Sequence, residues 1–103
     1  MSQPERPDFE MIVRVARASG LETEVVFECI ERRVLLHPEE AAPSEPDRWE
    51  EEAVAQLLRV RRLRALGVNM QGVEVISHMR RRLIAMREAR DELERELEEL
   101  RAR

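Results

Sequence analysis

A heptad seam in the last third of the chain constrains the fold more than any other feature. Ile76, Met79, Leu83, Met86, Leu93, Leu97 and Leu100 recur in alternating steps of three and four residues, the a and d positions of a coiled coil, with Arg90 as the one polar interruption at a. The spacing predicts a single helix from Met70 to the C-terminus, capped by Asn69 and slightly weakened in its first turn by Gly72. Such a helix of about 34 residues would be roughly 50 Å long at 1.5 Å per residue, more than the preceding 69 residues can cover. An apolar seam left wet on a lone helix is unfavourable, so the pattern calls for a second chain.

Charge decides how two such helices would pair. Between Arg80 and Arg90 the helix carries Arg80, Arg81, Arg82, Arg87 and Arg90 against a single acid, Glu88, whereas between Asp91 and Glu99 it carries Asp91, Glu92, Glu94, Glu96, Glu98 and Glu99 against a single base, Arg95. A parallel pair would set arginines beside arginines. An antiparallel pair sets each basic half beside the other chain's acidic half, so the expected assembly is a twofold antiparallel homodimer.

The first 69 residues read as a small helical domain. Phe9, Ile12, Val13 and Ala16 give a first helix, capped by Asp8 and stopped at Gly20. Val26, Cys29 and Ile30 give a second from Thr23 to Arg32, with Val34, Leu35 and Leu36 leading out to Pro38. The stretch from His37 to Pro46 holds three prolines and several acids and is expected as an exposed connection or degenerate wing. Asp47 and Glu50 form a candidate capping box for a third helix, whose inward stripe is Val54, Leu57, Val60, Leu63 and Leu66 and which Gly67 ends. Two short helices joined at Gly20-Leu21 make a helix-turn-helix candidate. The expected fold is therefore all-α: residues 1–69 as a helix-turn-helix domain with its linker at 37–46, and residues 70–103 as a coiled-coil dimerisation helix.

Several function classes are excluded by chemistry. Aromatics are 3% of the chain, too few to line a large ligand pocket, and the net charge of −4 argues against a general polyanion binder. His37 and His78 have no acid, serine or cysteine at a spacing that builds a triad or metal site, and there is no glycine-rich phosphate loop. No catalysis, metal or cofactor is expected. Cys29, the lone cysteine, reads as a small buried apolar residue in a reducing, cytoplasmic setting. The polar N-terminal segment has no apolar core of a leader, and charges interrupt every hydrophobic run, so neither export nor a membrane partner is expected.

The stretch LLRVRRLRALGVNMQGVEVI, Leu57 to Ile76, resembles the MerR-type winged helix-turn-helix family: an arginine-rich helix, a Leu-Gly-Val-Asn turn and a following amphipathic helix. Asp47 to Val54 (DRWEEEAV) matches that family's start of the third helix, and Ala16 to Pro38 its helix-turn-helix. Within the family the chain is most similar to the small CbpM-like chaperone modulators, with the HspR-like heat-shock repressors as near neighbours. The resemblance implies a homodimer that binds the J-domain of a DnaJ-type co-chaperone and restrains it.

Departures from the DNA-reading members point the same way. Where those place an arginine and tyrosines on the second helix, this chain has Phe27, Glu28 and Cys29, and Glu24, Glu28 and Glu31 line up at i, i+4 and i+7. An acidic face in a major groove is repelled. J-domains, by the same resemblance, present a basic helix, to which Glu24, Phe27, Glu28 and Glu31 offer a complementary surface of steering charges around an aromatic anchor. The opposing possibility is that Phe27 packs inward under Trp49 and the glutamates are a solvated face. The alternative function is a dimeric repressor holding DNA phosphates through Arg59, Arg61, Arg62 and Arg64, with Arg32, Arg33 and Arg48 in support. No effector domain follows the long helix, so small-molecule sensing is not expected under either.

Overall fold

The computed structural model describes residues 5–36 and 46–103, with the side chains of residues 5–8 and 46 left aside. The regular elements among the described residues are four helices: α1 (Glu5–Ser19), α2 (Thr23–Glu31), α3 (Pro46–Ala65) and α4 (Met70–Arg101). The expected all-α class is what the described residues adopt. The expected wing or linker, with His37 and Pro38, lies outside the described residues except for Pro46.

Helix starts differ from expectation in two places. α1 begins at Glu5, so Asp8 sits in its first turn instead of capping it. The same turn holds Pro7, tolerated there because its missing N–H would have no helical partner. α3 begins at Pro46, whose fixed φ suits the first helical position, and this puts Asp47 inside the first turn, where its charge complements the helix dipole. The capping box does not form as expected: Glu50 instead accepts from Arg14 of α1, at 2.6 Å from Nη2. The cap on α4 is as expected, with Asn69 Oδ1 accepting from Gly72 N at 2.8 Å. A Cβ on Gly72 would lie 2.8 Å from Val68 Cγ1, so the glycine that weakens the turn also lets Val68 fold back beside it.

Three helices close with the same geometry, a left-handed residue flanked by two bonds back into the last turn. After α1 these are Gly20 N to Arg17 O (3.3 Å) and Leu21 N to Ala16 O (3.1 Å). After α2 they are Arg33 N to Ile30 O (3.1 Å) and Val34 N to Cys29 O (2.8 Å), and after α3 Gly67 N to Arg64 O (2.9 Å) and Val68 N to Leu63 O (3.0 Å). Gly20 and Gly67 take φ of 76° and 93° without strain, but Arg33 takes φ 64° with a Cβ. Two substitutions should therefore act in opposite directions. Gly20→Ala is expected to destabilise by about 1–2 kcal/mol, since its Cβ would also meet Arg61 Nη1 at 2.9 Å. Arg33→Gly is expected to stabilise by about 0.5–1 kcal/mol, the strain relieved less the entropy of glycine. Urea midpoints at constant slope check both.

The core gathers Ile12, Val15 and Ala16 of α1, Val25, Val26 and Cys29 of α2, Val34 and Leu35 beyond it, Trp49, Ala53, Leu57 and Val60 of α3, and Val73 alone of α4. α1 packs on both α2 and α3, and the first turns of α4 pack on α3. The inward stripe of α3 runs 49, 53, 57, 60, a turn earlier than expected: Val54 and Leu63 are only partly buried, and Leu66 is 80% exposed. Trp49 closes the domain, 4% exposed, with Nε1 donating to Leu36 O at 2.9 Å.

α4 spans 32 residues, about 48 Å, yet gives the core one fully buried side chain. Apart from Gly72 in the first turn, its covered positions, Met70, Val73, Glu74, Ser77 and Arg81, recur on one side of the helix. Ile76, Met79, Leu83 and Met86 lie roughly opposite at 3.6 residues per turn. From Arg82 onward every residue is exposed. The radius of gyration, 17.1 Å against about 13 Å for a compact chain of this length, records the projecting helix.

Candidate docking face and heptad seam

Two surfaces carry the sequence-selected residues, one on α2 and one on α4. On α2, Val25, Val26 and Cys29 are buried, which turns Glu24, Phe27 and Glu31 outward as one row at i, i+3 and i+7. Phe27 is 40% exposed and does not pack under Trp49. It stacks on Phe9 of α1, ring centroids 6.2 Å apart and planes at 24°. Phe9, expected in the α1 core stripe, is 48% exposed and belongs to this surface. Sequence periodicity missed it because Phe9 shares the three- and four-residue spacing of Ile12 and Val13 while sitting at the edge of that stripe. Two rings held together with both faces partly wet form an apolar platform flanked by carboxylates.

Glu28 behaves differently from its neighbours. Its Oε2 accepts from Arg32 Nε at 2.9 Å, and Arg32 Nη1 donates to Glu74 Oε1 of α4 at 2.8 Å. These bonds, Glu28 first and Glu74 second, hold the Arg32 guanidinium above its ordinary range. Glu28 is thus part of a bridge fastening α2 to the start of α4. The acidic row available to a partner is Glu24 and Glu31.

The arginines assigned to phosphate contact under the alternative reading are not gathered on one donor surface. Arg32 is held by two carboxylates, and Arg33 forms the left-handed turn while its carbonyl accepts from Arg81. Arg48 lies 3.5 Å from Glu52, and Arg61 Nη1 donates to Ser19 O at the end of α1. Arg59 Nη2 donates to Gln56 Oε1 at 3.0 Å, and Gln56 Nε2 donates to Val34 O. Arg62 and Arg64 remain exposed on the last turns of α3.

On α4 the seam is exposed throughout: Ile76 40%, Leu83 47% and Leu97 49% are its least accessible members, with Met79, Met86, Leu93 and Leu100 above 60%. Arg90, at its polar a position, reaches Asp91 Oδ1 at 3.2 Å.

Burial, and secondarily Glu28, push the Cys29 thiol up to about 11, so it stays protonated and unreactive at neutral pH. His78 is exposed. Among the described residues no group of three or more His, Cys, Asp or Glu could hold a metal ion, and no helix is long and apolar enough to cross a membrane. A shallow pocket lined by Leu35, Leu36, Trp49, Glu52, Ala53, Gln56 and Arg81 is too small for more than a side chain. No protein-family model, curated protein or solved structure matches the chain.

Proposed function

We propose that this chain is a homodimeric, non-catalytic protein-docking module of the CbpM-like type, which binds the J-domain of a DnaJ-type co-chaperone through α2 and restrains it by covering its basic helix. The observation that carries the reading is the half-exposed Phe9–Phe27 stack set beside Glu24 and Glu31. An aromatic anchor that a partner can desolvate, ringed by charge of one sign, suits a basic amphipathic helix. A helix-turn-helix ancestry for α1 and α2 accords with it, since α2 takes the position of a recognition helix yet points carboxylates outward, where a DNA reader needs donors. The second reading, a dimeric DNA-binding regulator, draws on Arg62 and Arg64, but most other candidate arginines are engaged within the chain. A cytoplasmic setting belongs to the proposal and is supported by the single, buried, protonated Cys29.

Charge reversal on α2 separates the two readings. Glu24→Arg/Glu31→Arg is the variant to use, because Glu28 is already engaged by Arg32 and replacing it would also remove that ion pair. The double variant is expected to slow association with a purified J-domain, the more so at low salt, because rim charges steer encounter. Phe27→Ala is expected to speed dissociation instead. Both effects are read by surface plasmon resonance. Unchanged J-domain binding in both variants, with tighter binding of duplex DNA by the first, would favour the regulator.

A further inference from the structure

The Phe9–Phe27 stack occupies one end of a groove between α1 and α2. The chain turns back at Gly20 and Leu21, and the ring contact joins the two helices again further along, so Val13 of α1 and Thr23 of α2 come to lie between the stack and the turn. An open cleft of about 390 Å³ occurs there, with Val13, Ala16 and Leu21 as its apolar lining and Arg17, Glu22 and Glu24 as its charged groups. Glu22 occupies the N-cap position of α2, yet its side chain makes no capping bond. Among the described residues neither Glu22 nor Glu24 is held in an ion pair. Two carboxylates against one arginine leave the cleft with a net negative charge that one cation would match.

We propose that this cleft is a second subsite of the docking face, taking the side chain of one lysine or arginine that lies one turn away, on the partner's helix, from the apolar residue seated on the Phe9–Phe27 rings. The inference rests on the docking reading and adds a spacing to it. Glu24 and Thr23 lie one turn before Phe27, about 5 Å along α2, and a partner helix laid along the groove advances by the same amount in three or four residues. The aliphatic stem of the basic residue covers Val13 and Leu21, which are half-buried, while its charged end reaches Glu22 and Glu24, which are exposed. Glu31, one turn beyond Phe27 on the other side, meets a second cation. The face therefore selects a helix whose large apolar residue is flanked, three or four residues away on each side, by lysine or arginine. A helix of equal charge with its basic residues elsewhere on the circumference leaves the cleft unfilled.

Titration of the full chain, labelled at methyl and aromatic groups, with a purified J-domain tests the subsite by heteronuclear NMR. Two alanine-based helical peptides of about 20 residues serve as simpler probes. Both carry one leucine and two arginines, the arginines lying one turn from the leucine on each side in the first peptide and half a turn from it in the second. The J-domain and the first peptide are expected to shift the signals of Val13 and Leu21 together with those of Phe9 and Phe27, and the second peptide to bind about fivefold more weakly than the first. Glu22→Gln/Glu24→Gln is expected to weaken J-domain binding about tenfold, whereas Glu92→Gln/Glu99→Gln, which removes the same charge from the exposed outer half of α4, should leave it within about twofold of the parent. Circular dichroism checks that both variants keep their helix. Shifts at Phe9 and Phe27 that leave Val13 and Leu21 unmoved, or equal effects of the two charge pairs, would overturn the subsite and leave the docking face standing. A J-domain that shifts none of these residues overturns the docking reading itself. The peptides then decide the cleft on their own: it stands if the first shifts Val13 and Leu21 and outbinds the second, and falls otherwise.

Discussion

Trp49→Ala is expected to lower the free energy of unfolding by about 3–5 kcal/mol, the range for truncating a fully buried aromatic. Trp49 is 4% exposed at the first turn of α3 and belongs to the core formed with α1, α2 and the chain leading out of α2. Truncation removes the indole's contacts and leaves a cavity that the helices around it can only partly close. It also removes the donor to Leu36 O, although Leu36 itself is exposed and its carbonyl can turn to water at small cost. Trp49→Phe keeps much of the volume and loses the bond, and should cost about 1–2 kcal/mol. The ratio of the two effects, measured by urea denaturation, separates packing from hydrogen bonding. The parent's fluorescence should be blue-shifted from free tryptophan, and a maximum like that of free tryptophan would contradict the burial.

Leu83→Glu/Leu93→Glu is expected to abolish dimerisation, raising the dissociation constant by roughly a thousandfold or more. In a fully overlapped antiparallel pair these two positions share a layer, twice over, so four carboxylates would be buried against one another and the lost leucine contacts alone are worth about 4 kcal/mol or more per dimer. From the sequence, a seam-broken chain is expected to unfold, because a domain of about 70 residues is marginal alone. The core argues for a narrower outcome. Every buried side chain from Ile12 to Val73 is supplied by one chain, while the residues of α4 beyond Arg81 are exposed in that chain. The monomer should therefore lose the helical signal of those outer turns, which isolated helices of such length cannot sustain, while keeping the blue-shifted Trp49. Light scattering with circular dichroism and fluorescence reads the three together, and a variant that stays dimeric would contradict the seam.

Features written into the backbone were legible from the sequence. Asn69 caps and Gly20 and Gly67 stop their helices because side-chain acceptors and the absence of a Cβ act locally, whatever the chain packs against. The left-handed turn at Arg33 was not legible, since its tertiary surroundings, with Val34 and Leu35 buried behind it, impose a conformation that arginine does not signal. Amphipathic spacing located stripes but not their edges. Phe9 and Leu66 share the period of their buried neighbours and differ only in where the neighbouring helix ends, which sequence spacing does not encode. The same limit applies to charge: the acidic period of α2 was visible, but that Glu28 would be claimed by Arg32 and Glu74, forty-two positions further along from that arginine, depended on how α4 crosses α2. The aromatic platform of the candidate site is likewise a contact between helices, with Phe27 visible as a candidate and Phe9 hidden in a core pattern.

The central claim is that α2 presents a face for a basic protein helix. Isothermal titration of the purified protein with an isolated J-domain, and separately with duplex DNA, in one buffer at physiological salt, tests it most directly. The account predicts saturable binding of one J-domain per protomer, and only weak, sequence-independent, salt-sensitive binding of DNA. No heat with the J-domain, together with at least a roughly thousandfold preference for one duplex sequence over random DNA, would contradict it.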